Sequence, residues 1–215
     1  MHLYPGLQLY SESADQIVLS GNILVNRISK GYTLCKEYQI EIVIPISSNE
    51  LPYVLDIGNS IDKSYHHRYV DGRLCLETDT SIRIRFIEGF SLTVWMSEYV
   101  ETYFFSYEYY MRYGEFPFGE RGHGLEGILQ TYEGVFNETD DFKVKMLMKS
   151  IISQPYRGHM QCPCGSGKKL RSCHGMVVMK YYMDSRLRKI VLKDYYIMEV
   201  IQKYDEQRRN SKKAK

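Results

Sequence analysis

Residues 38–44, Tyr-Gln-Ile-Glu-Ile-Val-Ile, set apolar side chains at 38, 40, 42 and 44 against the polar Gln39 and Glu41. A period of two predicts a strand with one buried face, and Pro45 ends it because proline cannot donate to a ladder. Upstream, residues 16–28 carry two apolar runs around Ser20-Gly21-Asn22, which predicts two strands joined by a tight turn or a bulge. Together these predict an antiparallel meander of three or four strands over about residues 7–57. Residues 58–90 lose the pattern and predict a structured irregular segment, the kind of place where function concentrates. Leu92, Trp95, Met96, Tyr99, Tyr103, Tyr107 and Tyr110 then recur at spacings of three and four, with Ser91 placed to cap and Gly114 to stop a long amphipathic helix. Its aromatic stripe reads as a face packed on a sheet.

A glycine-rich stretch beginning at Phe116 leads into a further helix, and residues 140–156 predict a short charged helix running into a linker at Pro155. Leu187, Ile190, Val191, Asp194, Met198 and Ile201 follow a 3.6 period after the candidate caps Asp184 and Ser185. This final helix is expected to fray into a solvated basic tail over 207–215. The expected fold class is α+β, an antiparallel meander packed on helices. The expected segments are a core with a helical extension over 1–139, a helical linker over 140–157, a small metal-binding module over 158–176, and a C-terminal helix and tail over 177–215.

Composition narrows the setting. With 215 residues, 44% of them hydrophobic, the chain can fill a real core. It has no run of eighteen apolar residues, and residues 1–16 have neither a basic leader region nor an apolar one, so a cytoplasmic protein without a membrane partner is expected. Five cysteines, three of them between 162 and 173, suit metal in a reducing compartment better than a disulfide framework. The net charge of +2 hides an asymmetry. From Arg157 onward there are 15 Lys+Arg against 5 Asp+Glu, leaving 13 against 21 before it, so an acidic segment is joined to a basic one with partners of its own.

Residues 161–175, QCPCGSGKKLRSCHG, bring Cys162, Cys164, Cys173 and His174 into a short stretch. Tetrahedral zinc needs four such ligands, and Gly165 and Gly167 permit the turns that converge them. The Gly-Ser-Gly-Lys-Lys run is no phosphate loop, because Cys162 stands where its first glycine belongs and Lys169 where its magnesium-binding hydroxyl belongs. Four protein ligands leave no open position, so structural zinc is expected rather than redox or catalytic chemistry. The string resembles the SEC-C motif, the zinc-binding module named for the tail of the preprotein translocase motor, in which the same positions supply three Cys and one His.

Cys75 is solitary, between Leu74 and Leu76 after an Asp71-Gly72 turn. Taken alone it reads as a small apolar residue in a short strand, yet His66, His67 and Arg68 precede it by nine, eight and seven residues. Cationic neighbours lower a thiol pKa and expose the thiolate as a nucleophile. The order of features, a meander, Leu51-Pro52, a histidine, then Gly72-Arg73-Leu74-Cys75-Leu76 and a long helix, resembles ubiquitin-conjugating enzymes over about residues 3–113. It is most similar to bacterial ubiquitin-conjugating-like proteins, some of which resemble the chain in the Pro-Phe-Gly-Glu-Arg-Gly-His-Gly stretch and the SEC-C tail.

The resemblance implies a UBC fold in which Cys75 carries a ubiquitin-like modifier as a thioester and passes it to a lysine. It implies catalytic roles for Cys75, His66 and His67, with Arg68, Glu77, Asp79 and His123 in support. The family's asparagine is missing, and Arg68 stands near its place; the usual N-terminal docking helix is also missing. His123, flanked by glycines, is a candidate replacement group approaching from the C-terminal half. Arg83 and Arg85, spaced by two, read as a solvated strand face. The implied partners are a ubiquitin-like modifier with its activating enzyme, or a signalling-enzyme target, in a transferase of antiphage defence. The alternative is an inactive zinc-binding adaptor whose basic C-terminal part binds a protein or a nucleic acid, RNA included.

Overall fold

The computed structural model describes residues 3–153 and 155–213, so Gln154 of the expected linker and Ala214 and Lys215 of the expected tail lie outside the described residues. The chain is α+β, with a four-stranded antiparallel sheet followed by helices, and divides into two compact units. The first comprises Met1–Glu77 and Phe90–Glu120; the second comprises Thr78–Gly89 and Arg121–Lys215.

The sheet of the first unit runs β1 (Leu7–Glu12), β2 (Gln16–Ser29), β3 (Tyr32–Pro45) and β4 (Tyr53–Asp56), each pairing with the next. Leu19, Gly21 and Ile23 on β2 lie opposite Ile42, Ile40 and Tyr38 on β3, and all of these but the half-buried Gly21 are buried. The expected break at Ser20-Gly21-Asn22 is absent: β2 is one 14-residue strand paired along its whole length. Gly21, at φ +145°, serves close approach instead. A Cβ there would collide with the Gly6 carbonyl oxygen, so the glycine lets the chain entering β1 lie against β2. The tight turn is at Lys30-Gly31, whose φ values of 51° and 74° suit a two-residue hairpin turn with the twist of its strands.

After the irregular segment, Ser91 caps α2 (Leu92–Trp95), accepting from the Val94 N–H. A π-helical turn (Met96–Val100) follows, then α3 (Glu101–Tyr113), which stops at Gly114 in the left-handed conformation. Trp95, Met96, Tyr103 and Tyr107 of the expected stripe are buried; Phe104 and Phe105, outside it, are fully buried as well, and Phe104 stacks on Tyr38 with ring centroids 4.1 Å apart. The helix is also tied to the sheet by polar contacts: Arg27 donates to Thr102 and the Ser97 carbonyl, and Lys36 and Tyr38 both donate to Glu108.

In the second unit Thr78 caps α1 (Asp79–Arg85) by accepting from the Ser81 N–H, so Arg83 and Arg85 lie on a helix and not on the expected strand face. Their spacing of two fits either element; the Thr78 cap with Asp79 in the first turn decides for helix. Next come α4 (Leu125–Phe136), α5 (Asp141–Ser153), a 3₁₀ turn (Leu170–Ser172), α6 (Gly175–Met183) and α7 (Ser185–Lys213). The expected linker helix carries core residues: Val144, Leu147, Met148 and Ile151 of α5 are fully buried with Tyr132, Leu187 and Val191. Asp184 accepts from the Arg186 and Leu187 N–H groups at the start of α7, as a capping carboxylate should. The same helix continues as far as Lys213, through most of the segment expected to fray.

Asp194 on α7 is 4% exposed and accepts through one oxygen from Thr80 on α1 (2.9 Å) and Tyr132 on α4 (2.8 Å). One carboxylate thus joins three helices of the unit. Burial raises its pKa in spite of those two donors. Among the described residues, no helix is long and apolar enough to cross a membrane.

Candidate functional site

The cysteine cluster is built by a tight knuckle. Residues 161 and 169 pair as an isolated bridge, the Cys162 N–H donates to the Lys168 carbonyl (2.8 Å), and the Leu170 N–H donates to the Met160 carbonyl (2.8 Å). Gly165 and Gly167, at φ 76° and 73°, supply the left-handed turns that reverse the chain between them. The 3₁₀ turn then delivers Cys173, and His174 opens α6 by accepting from the Val178 N–H. Gly175 is needed at this junction, since a Cβ would stand 2.6 Å from the Leu170 carbonyl oxygen.

The four ligand atoms lie within 4.8 Å of one another. His174 Nδ1 is 3.3 Å from both Cys162 Sγ and Cys173 Sγ, and Cys164 Sγ is 3.6 Å from Cys173 Sγ. A tetrahedral ion with metal–sulfur bonds of about 2.3 Å needs sulfur–sulfur edges of about 3.8 Å, so these separations suit one shared ion. Cys162 and Cys164 are buried in the helical core beside Leu170 and Val178. Burial pushes the Cys162 thiol up to about 11, against donation from the Cys164 and His174 backbone N–H groups. Cys164 is also penalised by burial, yet donation from the Ser166 hydroxyl and N–H and from the neighbouring thiols holds it down at about 6. A cation at the centre removes this opposition by favouring the thiolate at all three sulfurs. The group can hold a metal ion, with every residue named from the sequence present.

Cys75 lies in the first unit, half-buried, on a loop that returns to the edge of β4. The Leu74 N–H donates to the Val54 carbonyl (2.9 Å) and the Cys75 N–H to the His67 carbonyl (2.8 Å). Arg68 supports the loop from within, donating to the Ile61 carbonyl (3.0 Å), while the buried Asp56 accepts from the Ile61 N–H (2.7 Å). Tyr103 of α3 donates to the same His67 carbonyl that receives Cys75 (3.0 Å), and Tyr107 accepts from the Asp62 N–H (3.1 Å). The loop is thus fixed at both ends of its histidine-to-cysteine span. Desolvation raises the phenol pKa of Tyr65 and Tyr103, and both rings sit within electrostatic reach of Cys75.

The two histidines face Glu120. His66 Nε2 is 3.1 Å and His67 Nε2 is 3.8 Å from the same carboxylate oxygen. Phe116 meets both imidazoles edge to face, at 5.6 and 5.3 Å, and stacks on Tyr110 at 4.6 Å. An open groove beside them is lined by His66, Tyr110, Phe116 and Glu120. Glu120 lies in the Pro-Phe-Gly-Glu-Arg-Gly-His-Gly stretch, where the sequence singled out His123 and not the carboxylate.

The other supporting candidates are distributed differently. Glu77 is half-buried and ends the first segment of the first unit. Asp79 and His123 belong to the second unit: Asp79 sits in the first turn of α1, 3.8 Å from Arg83, and His123 is exposed in the loop ahead of α4. Asp79 therefore has a helix-end role of its own. No family model, curated protein or solved structure matches the chain.

Proposed function

We propose that the chain is a cysteine-dependent conjugating protein of the ubiquitin-conjugating type with a C-terminal zinc module of the SEC-C type. The observation that carries this reading is the clamp on Cys75: its N–H and the Tyr103 hydroxyl converge on the His67 carbonyl, holding a half-buried thiol on a fixed loop with the His67 imidazole within 4.8 Å. In the proposed reaction the Cys75 thiolate attacks the thioester of a ubiquitin-like modifier on its activating enzyme. The modifier's acyl carbon gains the Cys75 sulfur, and the activating enzyme's thiolate leaves. A lysine amine then attacks the new thioester, an isopeptide bond forms, and Cys75 departs as thiolate. His66 or His67 takes the amine proton, and Glu120 orients the pair. Arg68 does the loop-supporting work of the missing asparagine, through the Ile61 carbonyl. Zn²⁺ on Cys162, Cys164, Cys173 and His174 would supply a fixed knuckle ahead of α6 and no reaction step.

The test is intact-mass analysis of the chain purified from cells that hold its natural partners. Wild type is expected to carry a small-protein adduct that dithiothreitol removes, Cys75→Ser an ester-linked adduct that resists dithiothreitol, and Cys75→Ala none. Equal adducts on wild type and Cys75→Ala overturn the reading.

A second reading, an adaptor without thioester chemistry, is favoured by α7. Leu192, Tyr196, Val200 and Tyr204 are exposed at intervals of four along this helix, within the segment of 15 Lys+Arg against 5 Asp+Glu. A protein partner with an apolar and acidic surface suits that face. Partner binding that persists unchanged in Cys75→Ala, with no adduct in wild type, selects this reading, and steep salt dependence toward RNA selects its nucleic-acid form.

A further inference from the structure

From the convergence of His66 Nε2, His67 Nε2 and Glu120 on one point, we infer that the first unit holds a second metal site, for a divalent transition-metal ion with open coordination positions. The three ligand atoms lie within 4.8 Å of one another, with imidazole-to-carboxylate separations of 3.1 and 3.8 Å. Metal–ligand bonds of about 2.0–2.2 Å set nitrogen–oxygen edges of about 3.0 Å at right angles and about 3.4 Å in a tetrahedron, so small adjustments bring all three onto one ion. Two imidazoles and one carboxylate form a borderline donor set suited to zinc, cobalt or iron in the divalent state and poor for calcium.

The rings are already oriented. Phe116 packs edge-on against both, Tyr65 lies 4.9 and 5.5 Å from them, and the imidazoles are 4.3 Å apart. A simple histidine–carboxylate ion pair needs only one imidazole; here two consecutive histidines present the same nitrogen to one oxygen. His66 and Glu120 remain substantially exposed and line the groove, so the remaining coordination positions face solvent or a ligand. This contrasts with the four-ligand cluster, which closes its shell. The inference stands apart from the thioester reading. A ligated imidazole cannot take a proton, so filling this site withdraws His66 and His67 from that proposed transfer.

The experiment loads the full chain with one equivalent of Zn²⁺ and then titrates Co²⁺, following visible d–d absorption and the ultraviolet sulfur-to-metal charge-transfer region. Wild type is expected to bind one further equivalent whose spectrum lacks sulfur charge transfer. His66→Ala and Glu120→Gln should each weaken that second binding by at least about tenfold while retaining the first equivalent of Zn²⁺ and the wild-type circular dichroism. Glu120 is exposed, so its variant keeps the test valid should His66→Ala fail to fold. A single equivalent in wild type, sulfur charge transfer from the second ion, or unchanged second binding in a folded variant overturns the inference.

Discussion

The cysteine cluster and the Cys75 loop use the same functional group under opposite constraints. At the cluster, Cys162 and Cys164 are part of the helical core, their sulfurs lie within 4.8 Å of each other and of the Cys173 and His174 ligand atoms, and glycines set the backbone around them. At the loop, one half-buried thiol is held through its backbone, near the His67 imidazole and within electrostatic reach of the Tyr65 and Tyr103 phenols, the latter donating to the His67 carbonyl. On the proposed reading, a thiol built into a core as one of four metal ligands contributes to folding, whereas the half-buried thiol of the loop serves chemistry. That reading assigns stability and reactivity to two different places of one chain.

The largest expected effect breaks the cluster. Cys164→Ser in the metal-loaded protein should cost at least about 4 kcal/mol, because ligand loss removes metal-binding energy from the fold, whereas Cys75→Ser should cost less than about 1 kcal/mol. Urea unfolding followed by far-ultraviolet circular dichroism compares the two. Equal costs would erase the distinction.

Asp194 sharpens the account of the second unit. Asp194→Ala leaves the Thr80 and Tyr132 hydroxyls buried without their acceptor and should cost about 2–3 kcal/mol. Its pH behaviour carries a sign. The folded carboxyl has a pKa above the ordinary value of 3.8, so between the two the folded chain binds more protons than the unfolded chain. Its contribution therefore favours folding at low pH and falls as pH rises through the folded pKa. Denaturation midpoints across that range should show a fall in wild type relative to Asp194→Asn; a rise would contradict the burial-dominated shift.

The smallest effect concerns the loop. Tyr103→Phe removes one hydrogen bond to the His67 carbonyl and should cost about 1 kcal/mol, with faster alkylation of Cys75 as the clamp loosens. Unchanged alkylation would mean that the hydroxyl does not govern access to the thiol.

These two regions were unequally legible in the sequence. Ligands packed into fifteen residues announce themselves by spacing, and the turns among Cys162, Cys164 and Cys173 need glycines that are visible there. The strand period at 38–44 and the Asp184 cap were equally local signals. What was not legible depends on distant partners or on a local exception to a period. Gly21 looks like a turn until Gly6 is known to lie against it. Phe104 and Phe105 widen the buried face of α3 beyond the stripe that the period marks. Glu120 meets His66 across more than fifty residues of chain, and Asp194 reads as a core position without revealing Thr80 or Tyr132.

The most direct test of the division between a structural and a reactive cysteine site is competitive thiol alkylation mapped by peptide mass spectrometry, in a Cys35→Ser background because Cys35 is exposed. In the zinc-loaded protein, Cys75 should be modified while Cys162, Cys164 and Cys173 stay protected, and chelation should release all three together. Modification of the cluster at the rate of Cys75 with metal present, or an inert Cys75, would contradict the account.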